Sequence, residues 1–155
     1  MAKKTIAPKK QKKKKSTITA IDEKLFNKAW QLACRVRENA YCPYSKFKVG
    51  ATIISENGHF FSGCNVENAS FGSTICAERN GILQMVASLG ATKIKGVVVV
   101  TEPEAVPCGM CLQVIAEFAS ADVTIWMCDT RGNKSVYSLD DLLPERFDGA
   151  FLSNP

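Results

Sequence analysis

The stretch IKGVVVVT, residues 94–101, most constrains the fold of this chain. Its run of valines is apolar without alternation, the pattern of a strand buried on both faces, as strands of parallel sheets are. Helical patterns flank it. One runs from about Ile75 to Leu89 and is closed by Gly90, and the other opens at Pro107 in PCGMCLQVIAEF. A strand buried on two faces between two helices calls for a layered α/β structure with a mixed sheet.

The other segments extend that pattern. Leu25, Phe26, Ala29, Trp30, Ala33 and Val36 recur at helical spacing. Thr19 and Asp22 suggest a capping box at the start of this first helix, and Pro43 suggests its stop near Tyr41. Asn57-Gly58 joins two β-rich runs as a hairpin, with His59, the only histidine, beside the turn. VTIWMC and KSVYS read as strands around a turn at Arg131-Gly132-Asn133, and DDLLPERF closes the domain. The expected order is α-β-β-α-β-α-β-β-α, with no internal repeat.

Charge divides the chain. The net charge is +5, yet residues 1–21 hold eight lysines and no acid. The remainder carries 12 basic side chains (20 less those eight) against 15 acidic ones, a balance of −3. Residues 1–17 are therefore expected to be a disordered lysine-rich tail, and residues 18–155 a folded domain. Nothing in the domain suggests a nucleic-acid-binding face, so contact with nucleic acid is expected only through the tail. KKQKKKK also resembles a nuclear-import cluster, an alternative to the expected cytoplasmic location. No apolar run is long enough for a transmembrane helix, and the first residues lack the apolar stretch of a secretory signal. Seven cysteines, an odd number without such a signal, point to metal ligation or reactive thiols over a disulfide framework.

The chemistry concentrates at two helix starts. Cys76 and Glu78 open one, and Cys108 and Cys111 open the other. A helix N-terminus stabilises thiolate. Two such starts facing each other can place three sulfurs around one zinc and leave its fourth position open, the mark of a catalytic site. Glu78 then stands beside that position to move protons. Cysteine, one residue, glutamate, and later Pro-Cys-x-x-Cys is the pattern of zinc deaminases. CxE alone is weak, and a lone CxxC also fits a redox pair. The joint pattern at two helix starts is specific. A structural zinc site would call for a fourth ligand, and His59 on its hairpin is a poor one.

CPYSKFKVGA, GCNVENASFG, ICAERN, PCGMCLQVIAEF and LLPERF together resemble the small, homotetrameric, zinc-dependent cytidine deaminases over about residues 22–147. The resemblance implies a three-layer α/β/α sandwich around a mixed sheet of about five strands. It implies one zinc per subunit on Cys76, Cys108 and Cys111, and Glu78 as proton shuttle. Asn65 and Glu67 would hydrogen-bond the sugar hydroxyls, Phe47 would pack on the pyrimidine, and the backbone near Ala77 would contact the base. Phe147 would reach a neighbouring subunit's site. Arg79 would donate hydrogen bonds to the thiolates and offset their charge. Cys34, Cys42, Cys64 and Cys128 match no ligand position and read as packed thiols.

The implied reaction is hydrolytic deamination of cytidine and 2′-deoxycytidine to uridine and 2′-deoxyuridine plus ammonia, a step of pyrimidine salvage. Leu112 stands where many relatives carry arginine, and Phe71 where many carry tyrosine. Asn80 and Gly81 also depart from the usual residues, and the glycine is expected to weaken its helix by roughly 1 kcal/mol relative to alanine. Two other readings compete. One is a deaminase acting on RNA or DNA through the basic tail, and the other is a non-catalytic zinc-binding protein.

Overall fold

The structure, a computed structural model, describes residues 23–152. The lysine-rich tail expected at residues 1–17 and the Thr19–Asp22 capping box lie outside the described residues. The elements are α1 Glu23–Arg37, β1 Gly50–Ser55, β2 Phe60–Cys64, α2 Ala77–Leu89, β3 Ile94–Val100, α3 Gly109–Phe118, β4 Ala119–Cys128, β5 Lys134–Ser138 and α4 Leu139–Leu142. Their order is the one expected from the sequence.

One five-stranded sheet has the order β2-β1-β3-β4-β5. β3 and β4 pair in parallel because α3 carries the chain back over the sheet between them, while the remaining pairs are antiparallel. The unbroken apolar run of β3 serves both faces. Val97 and Val99 join Ile53, Ile82, Met85, Ile115, Ile125 and Leu139 on the side covered by α2, α3 and α4. Val98 and Val100 join Phe26, Ala29, Ala33, Ile54 and Trp126 under α1. The α/β/α sandwich follows from this alternation. Among the described residues no helix is long and apolar enough to cross a membrane.

Several boundaries differ from the sequence expectation, each for a visible reason. α1 ends at Arg37, not near Tyr41. The Arg37 side chain donates to Lys48 O at 3.1 Å, and Tyr41 has already entered a parallel bridge with Val66. α2 starts at Ala77, not Ile75, because Ile75 and Val66 exchange backbone hydrogen bonds of 3.0 and 2.9 Å. β2 stops at Cys64, so Asn65 to Glu67 continue in extended form through isolated bridges instead of a ladder. α4 is a single turn fixed by a capping box between Ser138 and Asp141, which periodicity does not reveal.

Gly81 reverses an expectation. A Cβ there would meet Ile53 Cγ1 at 2.9 Å and Phe61 O at 3.1 Å. The close approach of α2 to β2 requires the glycine, so its cost in helix propensity is offset by packing that alanine would disturb.

Candidate active site

Both chemical helices begin at a sulfur. Cys76 is the N-cap of α2 and Cys108 the N-cap of α3, each with extended backbone angles. Their carbonyls accept the first helical bonds, from Asn80 N and Leu112 N, both at 3.0 Å. Neither side chain caps its own helix, which leaves both sulfurs free to face each other. As an N-cap, Cys76 stands outside the helical repeat, so it and Glu78 are not bound by the rule that residues two apart point to different faces.

The sulfurs of Cys76 and Cys108 lie 3.9 Å apart and those of Cys108 and Cys111 3.5 Å apart. All three fall within 4.8 Å of one another. Sulfurs placed tetrahedrally at about 2.3 Å from one ion stand about 3.8 Å apart, so the set fits a single zinc with one position left over. Exposure is graded across the set, with Cys108 exposed, Cys76 half-buried and Cys111 buried. The Cys76 thiol is pulled down to about 5, chiefly by hydrogen bonding from Cys111 and then by Arg79 and Cys108, against the effect of burial. Cys111 moves up, first through its bond to Cys76 and then through burial.

Glu78 is the second residue of α2 and only 4% exposed. Burial pushes its carboxyl up; a backbone hydrogen bond lowers it in part, and the Cys76 charge adds to the rise. Arg79 Nη2 donates to Thr74 O at 2.8 Å and to Cys76 Sγ at 3.5 Å. Its Nε is buried without a partner. Leu112, where the resemblance implies arginine, lies in the core at 4% exposure and adds no charge.

The proposed sugar and base residues form a second cluster. Asn65 Oδ1 accepts from Val49 N at 2.8 Å, and its Nδ2 donates to Phe47 O at 2.9 Å. The Glu67 carboxylate accepts from Tyr44 N at 2.9 Å and Ser45 N at 3.2 Å. The Ser45 hydroxyl also donates to it, and that bond is the main reason its pKa lies below the ordinary carboxylate range. Both side chains thus brace the loop that carries the half-buried Phe47. A cavity of about 450 Å³ beside them is lined by Tyr44, Ser45, Glu67, Phe71 and Thr74. No sulfur lines it, but Thr74 connects it to the sulfurs through Arg79.

Ala77 is fully buried at the start of α2, next to Cys76. Phe147 is 55% exposed, with its carbonyl held by Gln113 Nε2 at 2.6 Å. Cys34, Cys64 and Cys128 are free thiols raised by burial, Cys128 to about 12, and Cys42 is likewise free. Two contributions were not foreseen from sequence. Tyr44 and Ser45 act through backbone amides, which no residue pattern displays. Asn80 and Gln84 bind β2, and their spacing of four on a helix was the available signal.

The sequence pattern of the cytidine and deoxycytidylate deaminase zinc-binding region matches residues 23–127. A cytidine deaminase of Sporosarcina psychrophila is 40% identical over 121 residues, which span 77% of this chain and 88% of that protein. A probable cytidine deaminase of Dictyostelium discoideum is 36% identical over 82% of this chain and 86% of its own length. Among solved structures, the cytidine deaminase of Burkholderia pseudomallei superimposes with a TM-score of 0.73 at 38% identity, covering 78% of this chain and 98% of its own. That of Mycobacterium tuberculosis gives 0.69 at 32% identity, covering 79% and 97%.

Proposed function

The chain belongs to the zinc-dependent cytidine deaminase family, and from that premise we propose that it converts cytidine and 2′-deoxycytidine to uridine and 2′-deoxyuridine plus ammonia, with Glu78 as the catalytic proton carrier. The observation that carries this reading is the convergence of three cysteine sulfurs within 4.8 Å beside a buried glutamate two residues from one of them.

Cys76, Cys108 and Cys111 would hold the zinc, one per subunit, their sulfurs lying within 4.8 Å of one another. Zinc, when bound, supplies a Lewis acid that makes water a competent nucleophile near neutral pH. Glu78 does the proton work. Burial raises its carboxyl toward the range where it both accepts and donates protons. It takes a proton from the attacking water and delivers it to ring N3 of the pyrimidine as the new C–O bond forms at C4. It next moves the remaining hydroxyl proton to the amino group, so the C–N bond breaks with ammonia as leaving group and the C4 carbonyl is formed.

Three thiolates on one zinc leave net negative charge, which opposes activation of water. Arg79, hydrogen-bonded to Cys76 Sγ at 3.5 Å, offsets part of it, and the N-termini of α2 and α3 contribute partial positive charge. Phe47 packs on the pyrimidine, the backbone at Ala77 meets the base, and Asn65 and Glu67 hold the sugar hydroxyls. In this structure both of those side chains already bind the loop of residues 44–49. Their remaining lone pairs and protons are what a sugar would engage, and the loop contacts hold them ready.

Subunits complete one another's sites in a homotetramer, to which Phe147 contributes its ring. Large exposed apolar side chains at Tyr44, Val66, Phe71, Met110 and Phe147 support that reading, because isolated chains rarely leave so many near a site. The primary test counts zinc per chain and follows cytidine conversion by absorbance in the same sample. One zinc with turnover is expected. A full zinc complement without turnover on either nucleoside would refute the reading. Sedimentation of the active sample gives the oligomeric state, for which four chains are expected.

A further inference from the structure

We infer that Asn80 and Gln84, acting across the Gly63–Gly81 contact, are positioning residues that fix the catalytic start of α2 against the Asn65–Glu67 segment. The inference rests on the roles proposed above for Glu78, Asn65 and Glu67.

Among the described residues β2 is an edge strand of the sheet, so alternate backbone groups on its outer side have no strand partner there. Two of those carbonyls are filled from α2. Asn80 Nδ2 donates to Cys64 O at 3.0 Å, and Gln84 Nε2 donates to Ser62 O at 2.9 Å. Gln84 Nε2 also donates to Asn80 Oδ1 at 3.1 Å, which ties the two amides together. The match has a geometric basis. Four residues of helix advance about 6 Å, and two residues of strand advance about 6.7 Å. Donors four apart on α2 therefore meet acceptors two apart on β2, with helix and strand running in opposite directions.

Short amide side chains reach those carbonyls because two glycines let the backbones touch. A Cβ on Gly63 would lie 2.5 Å from Gly81 N and 2.6 Å from Ala77 O. Any larger residue at 63 would drive α2 away from β2 and pull both amides out of reach.

The contact sits between the two halves of the site. On the helix side, Asn80 is two residues beyond Glu78, and its own N–H closes the first turn onto Cys76 O at 3.0 Å. On the strand side, Cys64 precedes Asn65, whose amide holds the Phe47 loop. A backbone bridge between Val66 and Ile75 closes the circuit just ahead of Cys76. Loosening the amide contacts lets the proton carrier drift relative to the sugar contacts without removing any group that touches substrate. A misplacement of about 1 Å at a reacting centre can cost on the order of a hundredfold in rate.

The test uses Asn80→Ala, Gln84→Ala and the double variant in the full zinc-loaded chain. Each is assayed for zinc content, for kcat and KM on cytidine, and for amide hydrogen exchange. The expected result for Asn80→Ala is one zinc per chain, kcat down about tenfold and KM within about twofold. Gln84→Ala shifts kcat in the same direction by less. Exchange at Val66 and Ile75 rises about tenfold, while exchange at Ile125 and Trp126 in β4 stays unchanged. Unchanged kcat, or exchange that rises equally in β4, overturns the inference, since it would reduce the amides to general stability. If the parent chain binds zinc but does not turn over, the functional reading fails by itself. The exchange pattern at Val66 and Ile75 then still decides whether the contact holds the two segments together.

Discussion

Gly63 and Gly81 meet backbone to backbone, and a Cβ on Gly63 would stand 2.5 Å from the Gly81 nitrogen. Neither atom belongs to a flexible side chain, so the structure cannot absorb the addition locally. Gly63→Ala is expected to cost about 1–3 kcal/mol, the usual penalty of overpacking. Gly81→Ala is expected to cost less, because alanine recovers about 1 kcal/mol of helix propensity while crowding Ile53 and Phe61. Urea unfolding of the two variants measures both. A Gly81→Ala protein more stable than its parent would show that the close approach is not needed.

Glu78→Gln keeps the size of the side chain and removes its proton chemistry. The variant is expected to hold one zinc per chain and to lose about 10²- to 10⁴-fold in kcat, the range for a lost general acid or base. Zinc analysis with initial rates on cytidine checks this. Near-normal turnover with full zinc would take Glu78 out of the mechanism.

Arg79→Ala removes the guanidinium bonded to Cys76 Sγ and Thr74 O. The variant is expected to lose about 10- to 100-fold in activity or zinc affinity, as removal of groups supporting a metal ligand does. Its unfolding midpoint should fall little, since the group is only half-buried. Unchanged rate and zinc affinity would leave charge compensation to the helix N-termini.

Removing zinc with a chelator is expected to abolish turnover and to open the sulfurs to thiol reagents in the order of their surroundings. Cys108 is exposed and Cys76 is held at about 5, so both should react first. Cys128, buried and pushed up to about 12, should react only on unfolding. Mass spectrometry after brief alkylation, with and without added zinc, reads the order. Equal labelling of Cys76 and Cys108 in both states would mean that zinc does not sit on them.

Acid stability should depend on Asp129. Its carboxylate accepts from Asn133 Nδ2 at 2.7 Å, Arg131 N at 2.8 Å and Asn133 N at 2.9 Å. The Asn133 side chain is the largest cause of its lowered pKa. A carboxyl with a folded pKa below its unfolded value of about 3.9 adds stability above that value, and the stability is lost as pH falls through the folded pKa. Asp129→Asn should therefore lower the melting temperature at neutral pH and flatten its decline below about pH 4. An identical acid limb in both proteins would assign that decline to other carboxylates.

Most of the architecture was legible because it rests on patterns that survive in one dimension. The unbroken valines of β3, the Asn57-Gly58 turn and the paired helix starts each state their geometry locally. The boundaries that moved depend on partners far along the chain. Ile75 looks helical by periodicity, and only its pairing with Val66 makes it extended. Gly81 looks like a weak point by propensity, and only Ile53 and Phe61 show why it is required. The grouping of the three sulfurs was legible from residue type and spacing together. The support beneath them was not, since Tyr44 and Ser45 act through backbone amides and Asn80 acts on a carbonyl from another element.

The amides of Asn80 and Gln84 have a consequence for the molecule in a crowded solution. An outer strand with free carbonyls is a template on which another chain can add a strand, and such addition is a common start of aggregation. Here an incoming strand would first have to displace two side-chain donors from Ser62 O and Cys64 O. The helix that begins the chemistry therefore also guards one margin of the sheet against misassembly. Variants that free α2 from β2 should for that reason be watched for turbidity as well as for lost rate.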